Sequence, residues 1–134
     1  MAKVGLDTLK LYQLAERGSV EVFRVTKKFP RSEWFKGGSI EQLRRSSEST
    51  ANNIAEAYSR ESIKDKLRIL ENIVRGEAEE TKRGLIRAMK KEFCEKDLME
   101  PVVETYTEIL KTLHGYIRYI KNKSIINKRN LPNP

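Results

Sequence analysis

The chain has almost none of the residues on which most enzyme chemistry rests. Its 134 residues include one cysteine, Cys94, and one histidine, His114. A lone cysteine excludes an intrachain disulfide and fits a reducing compartment. There is no Cys-x-x-Cys pair and no glycine-rich phosphate loop. A di-iron site in a helical bundle needs two Glu-x-x-His pairs, and Lys111, not Glu, stands three residues before His114. A Cys94–His114 catalytic pair remains open on sequence, with a packing or surface cysteine and an ordinary helical histidine as the alternative. Adjacent carboxylates such as Glu79 and Glu80 are common on helices and do not by themselves mark acid–base chemistry. We therefore expect no enzyme activity, cofactor or metal.

Long apolar runs are also missing. None approaches the roughly 18 residues that would mark a membrane-spanning helix, and Met1–Leu11 holds no apolar stretch of signal-peptide length. The expectation is a cytoplasmic chain without a membrane partner. Acidic residues are absent from one end. Residues 109–134 carry six basic side chains and no acidic one, while the first 108 hold 21 basic and 19 acidic. The net charge of +8 suggests a polyanionic partner, yet most of the excess is C-terminal. A basic tail either binds nucleic acid or keeps a frayed end soluble, and both readings stay open.

What is present is helical periodicity. Apolar and small residues recur at three-and-four spacing over four segments. The first runs from about Asp7, a candidate cap, to Phe29 before Pro30, with Leu9, Tyr12, Ser19, Val22 or Phe23, Thr26 and Phe29 inward. In the linker, Trp34 and Phe35 are expected to close one end of the core, with base stacking as the alternative. The second segment opens at Ser39 with Gln42 three residues on, a capping-box pattern. Its inward stripe is Ile40, Leu43, Ser47, Thr50 or Ala51, Ile54 and Tyr58. The third spans about Ser62 to Lys91 along Ile63, Leu67, Leu70, Val74, Ala78, Thr81, Leu85 and Ala88. The fourth opens near Asp97, with Pro101 in its first turn, and continues through Leu98, Val102, Tyr106, Ile109, Leu113, Tyr116 or Ile117, and Ile120. No segment alternates as a strand does. Four such helices with short connections predict an all-α, antiparallel up-down-up-down four-helix bundle over residues 1–123, followed by a basic, disordered tail over 124–134.

Two stripes exceed what one core requires. On the second segment Gln42, Arg45, Ser49, Asn53, Glu56 and Arg60 fall together opposite the apolar face. Solvated faces favour Lys and Glu. Amides and hydroxyls suit a packed, hydrogen-bonded contact, so this stripe is a candidate subunit or partner interface, the alternative being plain surface. On the third segment Ile69, Ile73, Gly76 and Glu80 form a side stripe beside the main one. Gly18, Gly76, Gly84 and Gly115 all fall within predicted helices, where glycine costs about 1 kcal/mol relative to alanine and often marks a close approach. Together the stripes suggest self-association.

The stretch Gln42-Leu43-Arg44-Arg45-Ser46-Ser47-Glu48-Ser49, followed by Asn53-Ile54-Ala55-Glu56-Ala57-Tyr58-Ser59-Arg60, resembles the signature of a bacterial four-helix-bundle protein family. Its members include proteins encoded in intervening sequences of large-subunit ribosomal RNA genes, often labelled ribosomal-protein-like. Lys27-Lys28-Phe29-Pro30, Gly76 with Glu80, and Leu113-His114-Gly115-Tyr116-Ile117 add to the resemblance, which covers about Leu9 to Lys121. The chain departs from the pattern at Glu48, Ala51, Ala57, Ser59 and Glu77. The resemblance implies an antiparallel bundle that assembles as a homo-oligomeric ring, commonly a pentamer. A related branch comprises accessory proteins of diversity-generating retroelements, which bind a reverse transcriptase and nucleic acid. The Asn-Ile-Ala-Glu stretch is closer to the intervening-sequence branch.

Cations mark where nucleic acid would sit. Lys64, Arg68, Arg75 and Lys82 fall on one outward strip of the third segment, interrupted by Glu71, and Arg83, Arg87, Lys90 and Lys91 crowd its end. In an antiparallel bundle that end lies beside Lys27, Lys28 and Arg31, and the opposite end gathers Arg60, Arg118, Lys121 and Lys123. Attraction of cations to helix C-termini explains part of this clustering. In a ring each patch would repeat and multiply salt-sensitive phosphate contacts. With few aromatics between these cations, RNA or DNA would be held by its backbone with little sequence reading. A protein-binding adaptor, for example for a reverse transcriptase or a ribosomal component, is the competing expectation.

Overall fold

Four long helices carry the chain. The computed structural model describes residues 5–129 and the side chains of residues 5–125, and among these all regular structure is helical. A 3-10 turn, Gly5–Thr8, precedes helix α1, Lys10–Thr26. A second short turn, Arg31–Glu33, leads to α2, Ser39–Ser59. Helix α3 covers residues 63–90 in three continuous pieces: Ile63–Arg68, a π-helical stretch Ile69–Val74, and Arg75–Lys90. Helix α4 is Lys96–Arg129. It runs past the expected end at Lys123, and residues 130–134 of the expected tail lie outside the described residues.

The ends follow local chemistry, not always the predicted signal. At the start of α2 the cap position is Gly38, one residue before Ser39, and no side chain caps it. Gln42 instead donates its amide to the Gly37 carbonyl at 2.8 Å. Helix α3 opens as predicted on Ser62, whose hydroxyl accepts from the Asp65 N–H. It closes in a Schellman motif: the Glu92 N–H bonds the Met89 carbonyl and the Phe93 N–H the Ala88 carbonyl. Glu92 takes the left-handed conformation, φ 59°, that glycine usually fills. The peptide N–H groups of Leu98 and Met99 both bond the Glu95 carbonyl, and α4 opens at Lys96. Pro101 is thus its sixth residue, past the first turn, and leaves the Asp97 carbonyl without its usual donor.

Every helix sends one face to a shared core, with inward positions shifted from those expected on α1, α2 and α4. On α1 the buried residues are Leu11, Ala15, Gly18, Val22, Val25 and Thr26, while Leu9, Tyr12 and Ser19 are only half-buried. The reason is Tyr106, fully buried on α4. A Cβ on Gly18 would sit 2.9 Å from its ring, so α1 lays its smallest residue against the largest core side chain. On α4 Met99 occupies the place expected of Leu98, which is exposed. On α2 Ala57 is buried and Tyr58 exposed. The threonine and serine hydroxyls inside the bundle find partners, whereas the buried Tyr106 hydroxyl has none. Thr50 and Thr26 donate to backbone carbonyls four residues back, and the Ser46 and Thr81 hydroxyls lie 2.7 Å apart.

Contacts between helices follow a simple order. Along α2 and α3, Leu43 meets Gly84, Ser46 meets Thr81, and Ala57 meets Lys66. Thr26 on α1 meets Arg44 on α2, Arg17 meets Thr105, and Glu71 on α3 meets Lys121 on α4. Phe29 and Phe93 pack with ring centres 5.5 Å apart and close one end. Trp34 and Phe35, expected there, are instead 49% and 57% exposed.

Candidate nucleic-acid and subunit interfaces

The cations of α3 sort by neighbourhood. Lys64, Arg68, Arg75, Arg83, Arg87, Lys90 and Lys91 are exposed and Lys82 is half-buried. Arg83, Arg87 and Lys91 recur every four residues, one face of a helix. They line a groove of about 230 Å³ between the end of α3 and the start of α2, floored by Leu43 and Gly84 and flanked by Gln42 and Ser46. The groove is narrow because Gly84 has no side chain; a Cβ there would stand 2.7 Å from Leu43 Cδ2. Arg83 also reaches Glu79 at 3.8 Å. The groove's one carboxylate, Glu80, is held by Arg45, whose Nη2 donates to both of its oxygens at 2.9 and 3.0 Å. Among the described residues Arg87 and Lys91 have no carboxylate within ion-pair distance. At the other end Arg118 is exposed, and Lys121 is paired with Glu71 at 2.7 Å.

The polar stripe of α2 is partly closed within the chain. Arg45 bonds across to α3, and this bond to Glu80 holds its guanidinium more firmly protonated than usual. Glu77, 3.5 Å from Arg45, has its carboxyl raised chiefly by burial, with Arg45 pulling it back down. Asn53 donates to the Ser49 carbonyl at 2.8 Å and to its hydroxyl at 3.0 Å, and Arg60 pairs with Glu56 at 2.6 Å. Gln42, Arg45, Glu56 and Arg60 are exposed, Ser49 and Asn53 half-buried.

The side stripe of α3 divides. Ile69 is only 2% exposed and belongs to the chain's own core, which corrects its assignment to an interface. Ile69 and Leu70 lie side by side in the π-helical stretch, and both are buried. Ile73 and Glu80 are half-buried, and Gly76 is exposed with nothing within 4 Å of where a Cβ would stand. Gly76 and Gly115 therefore mark no close approach inside the chain, whereas Gly18 and Gly84 do.

Catalytic geometry does not develop. Cys94 lies in the turn before α4, whereas His114 is exposed 18 residues beyond Lys96, about 27 Å along the helix at 1.5 Å per residue. Among the described residues no three His, Cys, Asp or Glu side chains gather as a metal site, and no helix is long and apolar enough to cross a membrane.

Two functional-looking groups escaped the sequence reading. Lys66 donates its ammonium to the Ala57 and Tyr58 carbonyls, at 3.2 and 2.9 Å, and caps the end of α2. Burial lowers its pKa. Arg44 bridges α1 and α2 beneath exposed aromatic rings. An aromatic at Phe23, one step off the core face of α1, was the available signal.

These features define an all-helical protein of four long helices, with a cationic groove and no cluster of metal-ligating side chains among the described residues. Residues 7–115 match the family described as 23S rRNA-intervening sequence protein, and the chain belongs to that family. A solved structure of a protein with unknown function from the S23 ribosomal protein family of Bacteroides thetaiotaomicron VPI-5482 is similar. It is 27% identical at a TM-score of 0.68, over 80% of this chain and 97% of that one. No curated protein matches the chain significantly.

Proposed function

We propose that the chain is an antiparallel up-down-up-down bundle that assembles with copies of itself into a ring, five-membered by resemblance. The ring acts in the cytoplasm as a non-catalytic accessory protein and binds RNA or DNA through repeated basic patches, with little sequence specificity. The falling order of contact partners along α2 and α3 supports the antiparallel reading. The assembly surface is the stripe Gln42, Arg45, Ser49, Asn53, Glu56 and Arg60, joined by Ile73, Gly76 and Glu80 on the neighbouring helix. Gly76 supports it as an exposed helical glycine for which the chain itself has no packing use.

The observation that carries the nucleic-acid reading is the α2–α3 groove, where Arg83, Arg87 and Lys91 converge and the one carboxylate is already tied to Arg45. Phosphate is the anion such a fork of guanidinium groups fits. The outward cations Lys64, Arg68, Arg75, Lys82 and Lys90 extend the track along α3, and Arg118 adds charge at the far end. Family membership alongside a ribosomal RNA gene element is consistent with an RNA partner.

The test is binding of a structured RNA by fluorescence anisotropy across a salt series. The logarithm of affinity should fall linearly with the logarithm of salt, by about 0.9 per phosphate neutralised. Reversing Arg87 and Lys91 to Glu should flatten the slope by about two for each groove engaged. A flat response, or no binding at about 50–100 mM salt, would refute the reading. It would favour a protein-binding adaptor, for example for a reverse transcriptase or a ribosome-associated factor.

A further inference from the structure

One corner of the molecule carries large rings that packing does not use. Phe23 on α1 is 44% exposed, and Trp34 and Phe35 in the α1–α2 connection are more so. Exposed rings gathered in one patch mark binding surfaces, and here a cation links them. The Arg44 guanidinium carbon lies 4.4 Å from the centre of the Phe23 ring and 4.9 Å from that of Trp34. It is fixed there, since its Nε donates to the Thr26 hydroxyl at 2.9 Å and its Nη2 to the Phe23 carbonyl at 3.3 Å. Lys27 lies 4.5 Å above the Phe23 ring. Beside Trp34 and Phe35 opens a groove of about 750 Å³ that is also lined by Lys36, the buried Ile40 and the carboxylates of Glu41 and Glu48.

We propose that this shelf binds an unpaired nucleic-acid strand, one or two bases stacking on Trp34 and Phe35 while Lys27, Lys36 and Arg44 meet the neighbouring phosphates. The proposal rests on the nucleic-acid reading above and adds to it a preference for single-stranded segments. Every base has a flat π face, so stacking on exposed rings needs no particular sequence. A duplex hides those faces inside its stack. Charge selects this occupant over a second copy of the chain. With the groove's own carboxylates counted, the corner holds five basic side chains, Lys27, Lys28, Arg31, Lys36 and Arg44, against Glu33, Glu41 and Glu48, and stays net positive. Two such corners would repel each other, whereas a polyanion is attracted. The α2–α3 groove has the cations and a single ring, the half-buried Phe93 packed against Phe29, so it suits backbone binding, and the two sites divide the work.

Trp34 is the chain's one tryptophan, so its fluorescence reports this corner alone. The full-length protein would be titrated at one fixed salt concentration with a short oligouridine and with an RNA duplex of the same length. Oligouridine should quench Trp34 strongly and the duplex should not. Phe35→Ala, which keeps the reporter, and Trp34→Ala, read by anisotropy, should each weaken oligouridine binding by about tenfold or more. Duplex affinity should stay within about twofold, because the charge-driven contact is untouched. Circular dichroism confirms that both variants fold. Equal quenching by strand and duplex, or equal loss of both in folded variants, would overturn the proposal. Duplex binding without any Trp34 response would overturn the shelf alone, while failure of both ligands would overturn the nucleic-acid reading with it. A lower assembly mass in the variants would make the corner a contact between copies, which also overturns it.

Discussion

Two glycine-to-alanine substitutions should move stability in opposite directions. Gly76 sits in mid-helix on an exposed face with open space beyond it. Alanine there relieves the backbone-entropy penalty of a helical glycine and should stabilise the subunit by about 1 kcal/mol. For a chain of this size that corresponds to about 3–5 °C in Tm. Gly18 receives the same propensity gain but has no room. A Cβ there would stand 2.9, 3.0 and 3.0 Å from Cε2, Cζ and the hydroxyl oxygen of Tyr106. That ring is fully buried, burial raises its pKa, and Ser47 offsets part of the shift without closing to hydrogen-bond length. Overpacking a rigid core costs about 1–3 kcal/mol, so Gly18→Ala should be destabilising by about 1 kcal/mol net. Thermal unfolding by circular dichroism reads both, at concentrations dilute enough that the chain is a single subunit and the proposed Gly76 contact is not made. If Gly18→Ala stabilises as Gly76→Ala does, the close approach of α1 and α4 is wrong. A loss of assembly mass in folded Gly76→Ala would place that glycine at a subunit contact.

Ile69→Ala should cost about 2–5 kcal/mol in chemical denaturation, the usual range for a buried aliphatic side chain. A loss under about 0.5 kcal/mol would return Ile69 to the surface. Glu92→Gly should stabilise by about 0.5–1 kcal/mol, because glycine adopts the left-handed end of α3 without the Cβ clash; an unchanged denaturation midpoint would contradict that. Tyr12 donates to Glu16 at 2.6 Å, and this bond pushes its pKa up to about 12. The stability gained from the bond is therefore present below the usual tyrosine value and is lost as pH rises through about 12. Glu16→Ala should return one late-ionising tyrosine toward its usual range in an ultraviolet titration, and an unchanged titration curve would refute the assignment.

The helices were readable in the sequence because their strongest signals are redundant. Pro30, the Ser39 start and the period of Val22, Ile54, Leu85, Ile109 and Leu113 all point to the same four segments. What escaped is what apolar periodicity cannot register. Ala15 and Gly18 carry little hydrophobic signal, yet both are buried and Gly18 seats Tyr106, so periodicity points the inward face of α1 toward the larger Leu9 and Tyr12. Leu98 and Met99 are equally apolar neighbours, and only packing decides between them. Ile69 falls outside the main three-and-four stripe of α3, so only packing reveals that it is buried beside Leu70. In the candidate site, the crowding of Arg83, Arg87 and Lys91 followed from their four-residue spacing. The pairing of Arg45 with Glu80 crosses between helices 35 positions apart, beyond any local pattern. Trp34 and Phe35 were expected inward on hydrophobicity alone, and the cation beneath the corner, Arg44, becomes visible only when Thr26 and Phe23 are placed beside it.

The account depends most on copies of the chain gathering so that each cationic groove is repeated. Sedimentation equilibrium at micromolar concentration measures this directly. The expected mass is near five times the 15.6 kDa chain, falling when Arg45→Glu or Asn53→Leu disrupts the α2 stripe. A single 15.6 kDa species at every concentration, or variants that assemble as the parent does, would contradict it.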